Sequence, residues 1–234
     1  MRYLLRSKHY KKNEPSKDAK KVYLVCEGSV NEVSYFKFFE NFSSNLEIIP
    51  IPSEDGKSDP IKLMERAINL FVGNEENNID PLYKINTKYG DQVWFIIDTD
   101  HWNNGGKIET LKSFCFSKNR SVKVWHVAQS NPCFEQWQYY HFFNEVPIHE
   151  KVLECVSFKE FVRNSIKGGF DNRKHPINID VATKNSEATF NLENNQPKLY
   201  CTELFKLGKI ILGFIKNDLQ IAKKMNVDSL QEER

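Results

Sequence analysis

The sequence predicts an α/β fold: a mainly parallel sheet flanked by helices, followed by a mainly helical C-terminal extension. Over residues 20–145, short β-rich apolar runs alternate with amphipathic segments in the order βαβαβαβα. Strands that are almost wholly apolar are typical of a sheet covered on both faces. The 234 residues are also 40% hydrophobic and 13% aromatic, which suffices for a large core. This composition excludes disordered, collagenous and coiled-coil proteins.

The first two strands are predicted at 21–26 and 46–51, where β-branched and other apolar residues dominate. Between them, Asn31 is expected to be the N-cap of a helix whose apolar residues recur at helical spacing down to Phe42. The next helix has the clearest boundaries. They are Asp59 as N-cap, Pro60 in the first position and Gly73 after the last turn. Its predicted buried stripe is Ile61, Met64, Ala67, Ile68 and Phe71.

The third strand, 92–97, is the most apolar and runs directly into Asp98-Thr99-Asp100. A helix is predicted near 107–118 and a fourth strand at 122–127. After the turn signal Ser130-Asn131-Pro132, a last helix of the alternating pattern is expected from 133 to 143. Its predicted buried face consists of Phe134, Trp137 and Phe142.

Three regions follow from these patterns: a basic flexible arm at 1–20, a catalytic α/β domain at 21–145, and a mainly helical extension at 146–234 that packs on the core. The formal net charge of +2 hides an uneven distribution. Residues 1–21 contain eight Lys/Arg and two acids, whereas the rest contains 25 and 29. The basic arm is either a solvated tail or a segment that contacts phosphate.

The five cysteines are widely spaced and form no C-x-x-C pair, so neither a disulfide framework nor a zinc cluster is expected. No apolar run approaches the length of a membrane span. The sequence therefore predicts a cytoplasmic protein without a membrane partner.

Acidic residues follow two of the predicted strands. Glu27 comes after the first strand, and Asp98 and Asp100 come after the third. Ligands of open parallel sheets bind beyond the carboxyl ends of the strands. If the two strands are neighbours, these carboxylates converge and require a cation such as Mg²⁺ or Mn²⁺, with Glu32 as a further oxygen donor. The alternative is that the acids only cap the loops that follow the strands.

Three blocks of the sequence resemble one known family. Residues 26–36, C-E-G-S-V-N-E-V-S-Y-F, resemble the C-E-G-x-x-T-E-x-x-Y-F signature of the RloB-like proteins, a branch of the Toprim superfamily. The D-T-D of residues 98–100 matches their D-x-D. The S-N-P-C-F-E-Q-W of residues 130–137, followed by His141-Phe142, matches their S-N-P-x-F-E-x-W and H-F. The resemblance covers residues 22–142, with a weaker similarity at 195–207.

The resemblance implies a Toprim-like, Rossmann-like fold and a divalent-metal active site. It assigns general acid/base chemistry to Glu27 and Mg²⁺ or Mn²⁺ binding to Asp98 and Asp100, with Glu32 as a further ligand. Two positions depart from the family pattern. Asn31 replaces the usual Thr, and His101 stands where an acid is often found, which leaves the number of metal ions open.

Further candidate residues lie outside the acidic cluster. Glu135 is expected to support the site from a helix N-terminus, with Asn131 and His101 as additional supporting residues. His141 is expected to be a packed core residue. The candidate phosphate-binding residues are Lys167, Arg173, Lys174 and Lys184, for which a solvated loop is the alternative.

The predicted function is a divalent-metal-dependent nuclease, an endonuclease that hydrolyses RNA or DNA in anti-phage or restriction-linked defence. Two alternatives are a non-catalytic nucleic-acid-binding subunit of a defence complex and another Toprim phosphoryl-transfer enzyme. The expected partners are nucleic acid, an ATPase or restriction/defence protein, and a second copy of the chain. No Walker A motif or dinucleotide fingerprint is present, so a nucleotide-driven motor would have to be another chain.

Overall fold

The computed structural model of the chain describes residues 14–54, 58–73, 77–99, 105–119 and 122–231, with the side chains of 226–231 excepted. Of the predicted basic arm, residues 1–13 lie outside this part. The described end of the arm is attached to the sheet, because the Ser16 amide donates to Ser44 O and the Lys20 amide donates to Asn45 O.

A five-stranded sheet lies at the centre of the described structure. Its strands are β1 (Lys20–Cys26), β2 (Leu46–Ile51), β3 (Gln92–Asp98), β4 (Trp125–Asn131) and β7 (Cys201–Thr202), in the spatial order β2-β1-β3-β4-β7. The first four strands are parallel, and β7 pairs antiparallel with the end of β4. In the register of β1 and β3, Cys26 lies opposite Ile96, so the carboxyl ends of these two strands are adjacent.

Helices cover both faces of the sheet, as the sequence predicts. The described helices are α1 (Asn31–Lys37), α2 (Pro60–Phe71), α3 (Lys107–Lys118), α4 (Glu135–Tyr139), α5 (His149–Leu153), α6 (Phe158–Ser165), α7 (Ile179–Thr189) and α8 (Leu204–Gln231). On one face, Tyr23 and Phe95 pack against a core that includes Leu63 of α2 and Leu111 of α3. The other face packs against the remaining helices.

The α2 helix has the predicted boundaries but a different buried stripe. The Asp59 side chain accepts a hydrogen bond from the Ile61 amide, and Gly73 follows the helix with a φ of 82°. The most deeply buried side chains of its apolar face are Leu63, Ala67 and Phe71, spaced four residues apart. Ile61, Met64 and Ile68 are only half-buried.

The helix predicted to continue to Phe42 ends at Lys37 and is followed by turns. The Phe39 amide donates to Phe36 O, three residues back rather than four. The tighter turns still bury Phe38, Phe39 and Phe42. The aromatic run that predicted a longer helix is therefore buried in the core without a continuous helix.

The C-terminal segment is mainly helical and also contributes β7 to the edge of the sheet. The region 167–198, which shows no clear period in the sequence, contains α7 and a hairpin of β5 (Leu192–Glu193) and β6 (Gln196–Pro197). Among the described residues, none of the helices combines the length and apolarity needed to cross a membrane.

His141 is a buried core residue, as expected, and its burial predicts a pH effect on stability. Its Nδ1 donates to Trp137 O over 2.9 Å, which leaves Nε2 to accept from the Tyr35 hydroxyl at 3.1 Å. Desolvation by burial lowers the pKa of His141 to about 3. The unfolded chain therefore binds a proton between about pH 6.5 and pH 3 that the folded chain does not, and acidification destabilises the fold across that window.

At pH 4.5 this effect alone is expected to lower the free energy of unfolding by about 2–3 kcal/mol relative to pH 7. Urea unfolding at both pH values should show a smaller loss for His141→Gln than for wild type. The other titratable groups are common to both proteins, so equal losses would contradict a neutral buried His141.

Candidate functional site

Two acidic residues meet where β1 and β3 end. Glu27 directly follows β1, and Asp98 is the last residue of β3. The Glu27 amide donates to Ile96 O over 3.0 Å, and its Oε2 accepts from the Asp98 amide over 2.8 Å. Glu27 is therefore fixed to the neighbouring strand through both its backbone and its side chain. From the sequence, these acids were expected to converge if β1 and β3 are neighbours. The structure confirms that the two strands are neighbours.

Glu32 lies on the first turn of α1 and is buried. Its carboxylate rests against Gly28: a Cβ added at that glycine would come within 2.0 Å of Glu32 Oε2. The amides of Gly28 and Glu32 itself stabilise this carboxylate and partly offset the effect of burial on its pKa. The segment from Glu27 to Glu32 thus forms a tight turn that directs two carboxylates to one edge of the sheet.

Glu135 reaches the same place from the first turn of α4. Its Oε1 accepts from Asn31 Nδ2 over 3.1 Å. Its Oε2 is buried and has no hydrogen-bond donor within the described part of the chain, and the Lys159 Nζ is 4.0 Å away. A buried carboxylate oxygen without a donor is costly unless a cation or a bound group satisfies it.

Asn31 is not the N-cap that the sequence predicts. Val30 occupies the N-cap position without a side-chain hydrogen bond, and Asn31 is the first helical residue. The Asn31 Oδ1 accepts from Gln138 Nε2 and from Asn172 Nδ2, both over 2.9 Å. Because it also donates to Glu135, Asn31 joins α1, α4 and the loop after α6 beside the acidic residues.

The four acidic residues and Asn31 line one surface pocket of about 360 Å³. Its lining includes the 27–32 segment, Asp98 and residues 134–135. Ser58, from the loop before α2, and Lys159, from α6, complete the lining. The pocket therefore combines acidic groups from the sheet edge with one lysine from the C-terminal extension.

Burial and mutual repulsion act together on the acids. Desolvation raises the pKa of Asp98 well above its usual value, and the charges of the three nearby glutamates raise it further. The pKa of Glu32 is raised as well, mainly by burial and also by Glu135. Lys159 opposes both shifts. Additional positive charge in the pocket would favour the ionised forms of both groups.

The donor chemistry fits a hard divalent cation, which prefers carboxylate oxygens. Three His, Cys, Asp or Glu side chains close enough to share one ion do not occur within the described ranges. The carboxylates are near enough to raise one another's pKa, because electrostatic repulsion acts over longer distances than the direct bonds between a metal ion and its ligands. Asp100, the further predicted ligand, and His101 both lie outside the described residues.

The predicted supporting and phosphate-binding residues occupy different places. Asn131, the last residue of β4, donates from Nδ2 to Pro197 O and does not line the pocket. Arg173 forms a two-point ion pair with Asp171 at 3.0 Å, and Lys174 lies 4.0 Å from the same carboxylate. Asn172, which lies between Asp171 and Arg173 in the sequence, holds this loop to α1 through its hydrogen bond to Asn31. Lys167 and Lys184 are exposed and are not among the residues that line the pocket.

Lys159 and Ser58 line the pocket but were not predicted from the sequence. Lys159 is one of 33 Lys/Arg residues, and nothing in its local pattern distinguishes it. Ser58 precedes the recognisable Asp59-Pro60 start of α2, and its position before a helix at the same sheet edge was the only available signal.

Comparison with known proteins identifies the family. The model of the family described as RloB-like protein matches residues 22–211. No curated protein and no solved structure matches the chain. The match covers most of the chain, from Val22 in β1 to Ile211 in the first turns of α8, and it includes every described residue of the acidic pocket. The chain therefore belongs to the RloB-like protein family.

Proposed function

We propose that the protein is a divalent-metal-dependent phosphodiesterase that cleaves nucleic acid. The observation that carries this proposal is the convergence of Glu27, Glu32, Asp98 and Glu135 on one pocket at the carboxyl edge of a parallel sheet. Burial, and in addition the charges of neighbouring glutamates, raise the pKa of Asp98 and Glu32, and a cation would relieve the repulsion. Mg²⁺ and Mn²⁺ suit an all-oxygen donor set.

In the proposed mechanism, Glu27 and Asp98 would hold the cation together with Asp100, and Glu32 would contribute a further oxygen. When bound, a divalent cation polarises a phosphoryl oxygen and lowers the pKa of water. Glu27 is fixed at a strand end beside Asp98, in a position to exchange a proton at its carboxylate. The ammonium group of Lys159 attracts the phosphate into an otherwise acidic pocket.

The direct test is cleavage by the purified chain. Single-stranded RNA, tRNA, single-stranded DNA and duplex DNA are incubated with Mg²⁺, Mn²⁺ or EDTA, and the products are separated on denaturing gels. We expect cleavage of at least one polynucleotide with metal and none with EDTA. Metal-independent cleavage, or binding of polynucleotide without any cleavage, would contradict the proposal. The second result would favour the non-catalytic binding subunit.

Lys159 provides a more specific prediction. We expect Lys159→Gln to lower the cleavage rate about 10- to 100-fold, because the pocket loses the positive charge that offsets its carboxylates. Lys159→Arg keeps the charge and should retain more activity. The matched control is Lys151→Gln, which removes an exposed charge from α5 outside the pocket. Single-turnover rates at saturating enzyme are the measurement, and equal rates for the two glutamine variants would exclude the role of Lys159.

The cellular setting is a proposal as well. Membership in the RloB-like family supports a role in restriction-linked or anti-phage defence in the cytoplasm, with an ATPase or other defence protein as partner. A nuclease active at all times would harm its host, so a trigger or partner is expected to control the pocket. Co-purification of the tagged chain from infected and uninfected cells, followed by the cleavage assay, would identify such a partner.

A further inference from the structure

The loop between α6 and α7 is basic and lies next to the pocket. From 166 to 178 it carries three Lys/Arg residues and one acid, in a body that is acidic as a whole. Two glycines at 168 and 169 adopt positive φ values of 80° and 73° and turn the chain after α6. Asn172 then anchors the loop to α1, where its Nδ2 donates to Asn31 Oδ1 and contacts Asn31 O at 3.4 Å.

An aromatic cluster accompanies this loop. The rings of Phe142 and His175 lie 4.9 Å apart edge to face, and Phe170 is 5.2 Å from His175. Phe142 is 42% exposed, although the sequence predicts it on the buried face of its helix. That prediction is wrong because the α4 helix ends at Tyr139, so Phe142 follows a turn and leaves the core, whereas Phe134 and Trp137 remain buried.

The cluster is connected to the acidic pocket by a short chain of contacts. Glu135 lines the pocket and accepts from Asn31, which accepts from Asn172. Asn172 is followed by Arg173, Lys174 and His175. An exposed aromatic ring and flanking basic side chains therefore lie a few residues from a proposed phosphodiester-cleaving centre.

We propose that Phe142, with Phe170 and His175, forms a stacking surface for an unpaired base of single-stranded nucleic acid. The proposal rests on the proposed function, because it assigns the class of polynucleotide that the pocket receives. Exposed aromatic rings beside basic groups are the usual combination in single-strand binding, where the ring stacks on the base and the cations follow the backbone. A duplex offers no free base face to Phe142, since its bases are stacked on one another.

The test measures binding in EDTA, so that it does not depend on cleavage. Fluorescence anisotropy follows a labelled single-stranded oligonucleotide titrated with wild type, Phe142→Leu or Phe142→Trp. We expect Phe142→Leu to weaken binding roughly 5- to 100-fold, since leucine keeps an apolar side chain but has no aromatic face. Phe142→Trp should bind at least as tightly as wild type. The matched control is Phe116→Leu, which removes an 82% exposed ring from α3 on the other face of the sheet.

An oligonucleotide with abasic sites separates stacking from other contacts. Wild type should bind it more weakly than the intact strand, and Phe142→Leu should show little difference between the two. Equal binding of the intact strand by Phe142→Leu and Phe116→Leu, or tight duplex binding that does not depend on Phe142, would overturn the proposal. Cleavage that depends on metal but not on Phe142 would reject the stacking surface and leave the nuclease proposal standing. Phe142-dependent binding without any cleavage rejects the nuclease alone.

Discussion

Asp98→Asn is expected to reduce metal-dependent cleavage by roughly 10³-fold or more while raising the melting temperature of the metal-free protein. The substitution keeps the shape of the side chain and removes a carboxylate from the proposed metal site. It also removes a buried group whose pKa is raised by desolvation and by the charges of three glutamates. The expected gain in stability is on the order of 1 kcal/mol, which corresponds to about 2–4 °C for a chain of this size.

Asp91→Asn is the matched control for this experiment. Asp91 is also buried and directly precedes β3, at the opposite end of the strand from Asp98. Its carboxylate accepts from the Lys21 amide over 2.9 Å and from the Asn86 amide over 2.7 Å. We therefore expect Asp91→Asn to lower the melting temperature and leave the cleavage rate nearly unchanged.

Initial cleavage rates and thermal unfolding in EDTA are measured on both variants. Cleavage by Asp98→Asn at the wild-type rate would show that the metal site is elsewhere. A melting temperature below that of wild type would show that Asp98 stabilises the metal-free fold, against the expected repulsion. Equal losses of activity in both variants would indicate a general effect on folding.

Gly28→Ala is expected to disrupt the pocket through packing rather than charge. A Cβ at residue 28 would lie 2.0 Å from Glu32 Oε2 and 2.6 Å from Glu32 Cδ, so the buried carboxylate has to leave its position. We expect cleavage to fall about 100-fold, and unfolding free energy to fall by about 1–3 kcal/mol, the usual cost of overpacking.

Two other glycines provide controls. A Cβ at Gly213 of α8 would meet nothing within 4 Å, so Gly213→Ala should be neutral or slightly stabilising. A Cβ at Gly208 would meet Thr183 Oγ1 at 2.3 Å, so Gly208→Ala should destabilise the fold. Gly208 does not line the pocket, so this variant should leave the arrangement of the acidic residues unchanged.

A double-mutant cycle tests the contact between residues 28 and 32. In a Glu32→Ala background, Gly28→Ala should cost clearly less unfolding free energy than it does in wild type, because the carboxylate that blocks the new methyl group is absent. Additive losses in urea unfolding would refute the proposed clash.

The alternating pattern of strands and helices determined the fold class because apolar periodicity is a local property of the chain. Glu27 and Asp98 were predictable for the same reason: each follows an apolar strand, and strand ends of a parallel sheet face a common edge. The bounds of α2 were predictable because Asp59, Pro60 and Gly73 act on the backbone beside them.

The fourth strand shows where local patterns fail. It was expected at 122–127 and is found at Trp125–Asn131. Its second half is polar, and its side chains bond to distant partners: Gln129 Nε2 donates to Thr99 Oγ1, and Ser130 Oγ bonds to Thr202 Oγ1, each over 2.8 Å. The Asn119 side chain also accepts from the Val124 and Trp125 amides and so delays the start of the strand.

The sequence by itself determined the layered α/β architecture, the family, and the two acids that end β1 and β3. Only the tertiary structure decided that Lys159 joins those acids, that Asn31 connects three elements instead of capping a helix, and that Phe142 is exposed. The physical reason is the range of the interactions. Periodicity, capping and turn preferences act between residues a few positions apart, whereas Asn31 and Asn172 meet across 141 residues of sequence and are brought together only by packing.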